Sequence, residues 1–321
     1  MGTGVKKTEH RPMISVIMGV YNQYDAEALR QSVESILNQT FTDFEFLIWD
    51  DGSEGEAYEN VVKLKGLDPR IRVVGRKENH GLAFSLNGCI RIAKGTYIAR
   101  MDADDISLPR RLEKQFGFLE SNPEYGWCGT CAQLFDENGI WGERRMPKDP
   151  GTTDYFRFSP FIHPSVMFRA SLFEEGRGYL ETEEVLRCED YEIFLHLKSR
   201  GQKGCNLQEP LFLYREDQTS YRKRSFHTRM NEAKMRYRSY KEMGALFPLG
   251  WMYVLRPVVS CLLPADVLAF IKRSQGMRTK KQIEAETEVV VKEAVSFERE
   301  ERIPGAFGSI PMVSAQRIGS L

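Results

Sequence analysis

The first 123 residues alternate between short apolar segments and segments in which apolar residues recur with helical spacing. Four short, apolar and partly β-branched segments predict buried strands: residues 14–20, 44–49, 71–74 and 97–101. Between them, apolar residues return every three or four positions, as Leu29, Val33 and Ile36 do, which predicts helices. Strands that alternate with helices form βαβ units. The chain is therefore predicted to adopt an α/β fold with a mainly parallel sheet flanked by helices.

Two acidic clusters directly follow predicted strands. Residues 50–53 (DDGS) follow one strand, and residues 102–105 (DADD) follow another. Ligands of parallel sheets bind beyond the carboxyl ends of the strands. Crowded carboxylates repel one another unless a cation neutralises them, and hard divalent cations prefer carboxylate and phosphate oxygens. Each cluster alone is more typical of a solvated turn or a helix cap. Together they indicate a metal–diphosphate site.

Two other segments combine polar residues with a predicted helix start. In residues 79–83 (NHGLA), Asn79 is a possible cap and Gly81 would let backbone amides approach a phosphate. In residues 188–191 (CEDY), the two acids either favour the helix N-terminus electrostatically or supply a general base. No Gly-x-Gly-x-x-Gly or Walker loop is present, which disfavours a dinucleotide dehydrogenase or a P-loop ATPase.

The second half of the chain has a different pattern. Residues 126–135 and 140–145 predict a hairpin around Asn138-Gly139. Short strands are expected at residues 165–168 and 210–214, with a helix between them that ends near Gly201. This mixture predicts a smaller subdomain of short strands and helices, suited to binding an acceptor.

Composition narrows the class of protein. Lys and Arg together number 45, as do Asp and Glu, so no overall charge attracts nucleic acid, and nucleic-acid binding is not expected. The six cysteines are scattered, as is typical of a reducing compartment. Cys128 and Cys131 form the one close pair in the sequence. They are either a redox motif or small core residues of a strand. The polar tail at residues 1–12 has no apolar core and does not resemble a signal peptide, which favours a cytoplasmic protein.

The C-terminal segments are strongly charged. From residue 222 to residue 281 there are 14 Lys or Arg residues and three acids. Apolar residues at 247–270 are interrupted by Arg256, Pro257 and Pro264, so a spanning helix is not expected. Residues 223–281 are predicted to be a basic helical extension, which either lies on an anionic membrane surface or caps the catalytic domain. Residues 282–321 are expected to form an acidic and then disordered tail.

Eight segments, in this order, resemble the family 2 glycosyltransferases, which have the GT-A fold. They are residues 15–22 (SVIMGVYN), 35–41 (SILNQTF), 50–53 (DDGS), 79–83 (NHGLA), 93–99 (AKGTYIA), 102–105 (DADD) with Pro109 and Arg111-Leu112 after it, 163–169 (HPSVMFR) and 189–191 (EDY). The resemblance spans about residues 13–222. It implies a Rossmann-like GT-A domain with a nucleotide-sugar half at 13–123 and an acceptor half at 124–222.

The resemblance also implies a role for each candidate residue. The donor-binding residues would be Tyr21, Asp51, Asn79, Gly81 and Asp102. Within this set, Tyr21 and Asp51 would hold the nucleobase, and Asp102 would lie beside the ribose and diphosphate.

Metal and acceptor roles follow in the same way. Asp104 would bind Mg²⁺ or Mn²⁺, and Asp190 would be the catalytic base. His163 and Glu189 are candidates for the acceptor or diphosphate side. Relatives often carry a His near the metal, two residues after the Arg of a Tyr-Arg strand end. Asp217 occupies that position in this chain and is a second candidate metal ligand.

The implied activity is an inverting, hexosyltransferase-type reaction. A sugar would pass from a nucleotide-diphosphate donor, expected to be a UDP-sugar, to a hydroxyl of a saccharide or lipid-linked acceptor in cell-surface polysaccharide or glycolipid synthesis. The protein would be cytoplasmic, or peripheral on the inner face of the membrane. One alternative is a nucleotidyltransferase, although residues 21–23 (YNQ) replace the Gly-rich basic loop it would need after the first strand. The other is a nucleotide-sugar-binding subunit without transfer activity.

Overall fold

The computed structural model describes residues 10–174, 177–216 and 226–260. Within these residues, nine strands join in one mixed sheet. Most of the predicted N-terminal tail, the candidate ligand Asp217 and the predicted acidic tail at 282–321 lie outside the described residues.

The first half follows the predicted βαβ pattern. Its elements are β1 (Ile14–Val20), α1 (Ala26–Leu37), β2 (Phe44–Asp51), α2 (Gly55–Lys63), β3 (Ile71–Arg76), α3 (Leu82–Ile92), β4 (Tyr97–Arg100), β5 (Ile106–Ser107) and α4 (Arg111–Ser121).

The second half mixes short elements, as expected. Its elements are β6 (Trp127–Asp136), β7 (Gly139–Arg144), α5 (Thr152–Arg157), β8 (Met167–Arg169), α6 (Ser171–Glu174), α7 (Glu189–Ser199), β9 (Gly204–Arg215), α8 (Phe226–Glu242) and α9 (Trp251–Val259). The predicted hairpin is the β6–β7 pair, with Gly139 at a φ of 108° in its turn.

The strands are ordered β3-β2-β1-β4-β8-β6-β9-β5, and β7 pairs with β6. The first four strands are parallel, while β8 runs antiparallel to both β4 and β6. The α/β prediction is therefore confirmed, with the parallel βαβ arrangement concentrated in the first half. The two predicted halves share one sheet through the β4–β8 pairing.

Apolar side chains cover both faces of the sheet. Along β1, Val16 and Met18 pack into the cluster that includes α1 and α4, whereas Ile17 packs into the cluster that includes α3 and α7. This alternation follows from the two-residue period of a strand, and burial on both faces explains why these strands are almost continuously apolar. Cys128 and Cys131 are both buried in β6, and burial raises the pKa of the Cys128 thiol. They are core residues, because a buried neutral thiol is a poor redox group.

Several element boundaries differ from the predictions. Strand β2 continues through Asp50 and Asp51, because both remain paired with β3 opposite Gly75 and Arg76. The predicted strand at 165–168 begins only at Met167, after a 3₁₀ turn.

The contact between α3 and β2 depends on a helical glycine. A Cβ added to Gly88 would lie 2.3 Å from Cζ3 of Trp49, whose ring is rigid and buried. A Cβ added to Gly117 of α4 would meet no atom within 4 Å.

We therefore expect Gly88→Ala to destabilise the protein by about 1–3 kcal/mol through overpacking. Gly117→Ala is the matched control, and it should leave stability unchanged or raise it slightly, since alanine is the better helix former. Thermal unfolding of the three proteins measures the difference. Equal melting temperatures for the two variants would contradict this account of the α3–β2 contact.

Candidate active site

Three loops meet at the carboxyl edge of the parallel strands. Val20 at the end of β1 pairs with Asp50 of β2, and Ile17 pairs with Arg100 at the end of β4. The loops after β1 and β2 are bonded to each other, because Asn22 N donates to Ser53 Oγ at 2.9 Å and Glu54 N donates to Asn22 Oδ1 at 3.1 Å. Tyr21 lies beside this junction with 53% of its surface exposed.

Asp51 joins β2 to the loop before α3. Its carboxylate accepts hydrogen bonds from His80 N at 3.1 Å and from Gly81 N at 2.7 Å. Burial raises the pKa of Asp51, while these amide bonds lower it, and the net shift is upward. The Gly81 amide expected to approach a phosphate thus binds a carboxylate instead. Asn79 is exposed and does not cap α3, whose N-cap is Gly81 without a side-chain bond.

Asp102, Asp104 and Asp105 form the acidic cluster of the site. Their nearest carboxylate oxygens all lie within 4.8 Å of one another. Burial raises the pKa of Asp104 to about 6, and the charge of Asp102 adds to the rise. Burial also raises the pKa of Asp105 well above its ordinary value, and Asp105 Oδ2 is buried without a hydrogen-bond partner. Oxygen ligands at this spacing, with one buried oxygen unsatisfied, suit a hard divalent cation.

The backbone around the cluster is held by neighbouring elements. Arg215, at the end of β9, donates from its backbone N to Asp105 Oδ1 at 2.7 Å and from Nε to Asp104 O at 2.9 Å. Ser32 of α1 donates to Asp102 O at 2.6 Å. The carboxylates are therefore positioned by three separate parts of the chain, α1, β4 and β9.

A buried arginine side chain lies against the acidic cluster. Arg100 is 1% exposed, and its Nη1 lies 2.5 Å from Asp102 Oδ1. Arg100 balances only part of the negative charge, since the cluster contains three carboxylates and the pKa values of Asp104 and Asp105 remain raised. A divalent cation would neutralise the remainder.

His163 and Tyr179 line the next part of the site. His163 Nε2 lies 2.7 Å from the Tyr179 hydroxyl, and both side chains are buried. Burial, together with the charge of Arg100, lowers the pKa of His163 well below its ordinary value, so the imidazole is neutral. Asn87 of α3 fixes Tyr179 by accepting from its backbone N and donating to its backbone O, both at 2.8 Å.

Tyr179 connects the acidic cluster to Asp190. Burial raises the pKa of its hydroxyl, Arg100 opposes that rise, and the charges of both Asp190 and Asp102 add to it. The Tyr179 hydroxyl is therefore close enough to both carboxylates to sense their charges. The structure thus brings Asp190 and Asp102 of the acidic cluster into the same region around Tyr179.

Asp190 lies in the first turn of α7, and it is half-buried. The preceding loop contains Arg187, which has a φ of 66° and donates from its backbone N to Glu189 Oε1 at 3.0 Å. A non-glycine residue in the left-handed region is uncommon, and such strain is concentrated at functional sites.

The helix that carries Asp190 is fixed on two sides. Tyr191 bonds to the Tyr240 hydroxyl of α8 at 2.8 Å, and Glu192 forms a two-point ion pair with Arg177. Arg236 of α8 extends this contact by donating to Phe156 O at 2.8 Å. Helix α8 therefore packs on the domain directly behind the candidate base.

Four residues of this region were not singled out from the sequence: Asp105, Arg100, Arg215 and Tyr179. Asp105 belongs to a cluster that the sequence did indicate. A detectable signal also exists for Arg100, because a charge that ends an apolar strand is unusual. Tyr179 lies in an irregular segment and reaches His163 only through the tertiary fold, so the sequence contains no comparable signal for it.

A model of the family described as "Glycosyl transferase family 2" matches residues 15–177, more than half of the chain. The chain belongs to this family. The matched residues include the loops after β1, β2 and β4, the acidic cluster and His163. The chain is therefore a glycosyltransferase.

Named relatives agree with the family. The putative glycosyltransferase EpsE of Bacillus subtilis is 36% identical over 84% of this chain and 96% of its own length. The O-antigen biosynthesis glycosyltransferase WbnJ of Escherichia coli is 37% identical over 63% of this chain and 79% of its own length.

Solved structures share the fold. TarS of S. aureus in complex with UDP-GlcNAc has a TM-score of 0.57 at 16% identity, over 70% of this chain and 65% of that chain. The mannosyltransferase PcManGT of Pyrobaculum calidifontis in complex with GDP-Man and Mn²⁺ has a TM-score of 0.53 at 17% identity, over 83% and 81%. These similarities confirm the GT-A fold.

The raised pKa of Asp104 predicts a pH-dependent metal affinity. Because the folded pKa exceeds the ordinary value, the contribution of Asp104 to the stability of the metal-free protein is fully present below about pH 4 and is lost as pH rises through 6. Mn²⁺ requires the carboxylate, so its affinity should fall about tenfold between pH 7 and pH 5. Isothermal titration with Mn²⁺ at both pH values measures this.

Asp104→Asn should weaken Mn²⁺ binding at pH 7 and reduce its pH dependence, with Asp105 retaining the remainder, whereas Glu124→Gln, at an exposed acid outside the cluster, should leave both unchanged. An Mn²⁺ affinity that is equal at the two pH values in the unaltered protein would contradict the prediction.

Proposed function

We propose that this chain is an inverting glycosyltransferase that moves a sugar from a nucleotide-diphosphate donor to an acceptor hydroxyl. The observation that carries the proposal is the acidic cluster of Asp102, Asp104 and Asp105, with Asp190 near enough to Tyr179 for its charge to act on the same hydroxyl as that of Asp102. One group of carboxylates suits a metal-bound diphosphate, and a separate carboxylate suits an acceptor hydroxyl. Inversion requires attack from the side opposite the leaving group, and a base distinct from the metal ligands would permit it.

Asp102, Asp104 and Asp105 would hold Mg²⁺ or Mn²⁺, and Asp217 is a further candidate ligand outside the described residues. The ion would neutralise charge that develops on the departing diphosphate. The role of Arg100 is to hold Asp102 in place and to balance part of the negative charge of the cluster. Because Arg100 is buried, its positive charge stays beside Asp102 whether or not the donor is bound.

Asp190 would accept the proton of the attacking hydroxyl. Asp190 is half-buried in the first turn of α7, where the helix N-terminus interacts favourably with negative charge. Its position is set by Tyr191 and Glu192, which follow it in α7 and are bonded to other elements. Glu189 and His163 would contribute to the acceptor or diphosphate side. His163 would act through Tyr179, since its own ring is buried.

The donor is proposed to be a UDP-sugar. Tyr21, with its ring half exposed beside the joined loops, would contact the nucleobase, and Asp51 would hold the loop that contains Asn79 and Gly81 against it. TarS is complexed with UDP-GlcNAc, which supports UDP, whereas PcManGT is complexed with GDP-Man. Screening both nucleotide classes is therefore part of the test.

The acceptor is proposed to be a saccharide or a lipid-linked saccharide in surface polysaccharide synthesis. The name of WbnJ, an O-antigen biosynthesis enzyme, supports this class of product. Among the described residues, no helix has the length and apolar content needed to cross a membrane. We propose a cytoplasmic enzyme that works at the inner face of the membrane.

The decisive test is transfer by purified protein with Mn²⁺, a panel of UDP- and GDP-sugars and a saccharide acceptor. A true donor should raise the melting temperature by mass action. Asp190→Asn should lower kcat by about 10²–10⁴-fold, because a general base contributes that much, while donor-dependent stabilisation persists. Glu59→Gln, at an exposed acid of α2, is the control and should match the unaltered enzyme.

Two results would lead to different conclusions. Full transfer activity in Asp190→Asn would refute the base assignment. Donor-dependent stabilisation with no transfer to any acceptor and no hydrolysis would instead favour the nucleotide-sugar-binding subunit.

A further inference from the structure

Helix α9 exposes apolar side chains on the side that faces away from the domain. Val254 and Pro257 are buried against the protein. Met252, Leu255 and Val259 are 65%, 54% and 53% exposed, and their spacing of three and four residues places them in one stripe. A surface helix normally presents polar residues to water, so an apolar stripe on the outer face marks an interaction surface.

Aromatic residues extend this stripe toward α8. Phe247 is 77% exposed and its ring lies 6.3 Å from that of Trp251. Trp251 in turn lies 5.3 Å from the ring of Tyr237, and both are more than a third exposed. Trp and Tyr are enriched where a protein meets the boundary between lipid and water, because their rings are apolar and their N–H and O–H groups are polar.

The exposed face of α8 is basic. Lys234, Arg238 and Lys241 are exposed at spacings of four and three residues, and Tyr237 lies among them on the same face. Arg238 also pairs with Glu184 at 3.2 Å. The surrounding sequence is basic as well, with 14 Lys or Arg residues and three acids between residues 222 and 281. The α8–α9 surface, defined by these exposed residues of both helices with Phe247, thus combines an apolar stripe with a cationic one.

We propose that the α8–α9 surface docks on an anionic lipid bilayer. Met252, Leu255 and Val259 would enter the boundary between headgroups and acyl chains, while Lys234, Arg238 and Lys241 would contact acidic headgroups. A second copy of this chain is the less suitable occupant, because the two cationic stripes would repel each other. A membrane offers apolar and anionic partners together.

Docking there would orient the site toward membrane-borne substrates. Tyr240 and Arg236 of α8 both bond to Tyr191, the neighbour of Asp190, so hydrogen bonds link the helix that carries the candidate base to the helix that carries the cationic stripe. This consequence rests on the proposed function, since it assumes a lipid-linked acceptor. Lipid binding itself does not.

The test is sedimentation of the full-length chain with vesicles, measured without substrates. We expect binding to vesicles of phosphatidylcholine and phosphatidylglycerol to be at least about tenfold tighter than to phosphatidylcholine alone, and to weaken at high salt. Met252→Gln with Leu255→Gln should reduce binding severalfold, as should Lys234→Gln with Lys241→Gln. Val62→Gln with Leu67→Gln removes comparably exposed apolar residues elsewhere, and this control should bind as the unaltered chain does.

The outcomes separate the possible occupants. Failure of the unaltered chain to bind anionic vesicles, or unchanged binding by both α8–α9 variants, overturns the proposal. A lower molar mass by light scattering in Met252→Gln/Leu255→Gln, without an effect on vesicles, assigns the face to a second copy. Asp190→Asn should bind vesicles normally, so failed transfer with intact binding would refute only the proposed function.

Discussion

Three carboxylates within 4.8 Å of one another are the constraint on which the site depends. Such a group is costly to assemble, because each burial and each neighbouring charge favours the protonated form. The fold opposes this cost with the buried Arg100 and with hydrogen bonds from Arg215 and Ser32. These contacts leave part of the negative charge of the cluster unbalanced, and that charge would allow it to bind a cation. The elements that supply these groups come from both halves of the chain, which the β4–β8 and β5–β9 pairings join in one sheet.

A second set of hydrogen bonds holds α7, which carries the candidate base, against α8. Arg236, Tyr240 and Tyr191 share hydrogen bonds in a buried setting, and Glu232 pairs with Arg236 at 3.0 Å. Buried ionic groups of this kind contribute little net stability, but removing one partner is strongly destabilising. The network therefore fixes the orientation of α7 more than it strengthens the fold.

The sequence was most informative where chemistry and periodicity coincide locally. The strands β1 and β2, the hairpin at Asn138-Gly139 and the acidic clusters were all predictable, since each depends on neighbouring residues alone. The Asp51 contacts with the loop before α3 were not predictable, because a carboxylate at a strand end satisfies amides as readily as it binds a ligand. The hydrogen bond between His163 and Tyr179 was not predictable for a different reason. Tyr179 lies in an irregular segment, which has no hydrophobic periodicity from which its position could be inferred.

The aromatic contacts of Phe156 with α8 and α9 indicate how far the catalytic unit extends along the chain. Phe156 packs against Tyr240 at 4.7 Å and against Tyr253 at 5.6 Å between ring centroids. A fragment cut after β9 would leave that ring in water and would remove the guanidinium that satisfies Phe156 O. The shortest fragment able to fold as an enzyme therefore extends through α9, although the family match stops well before it.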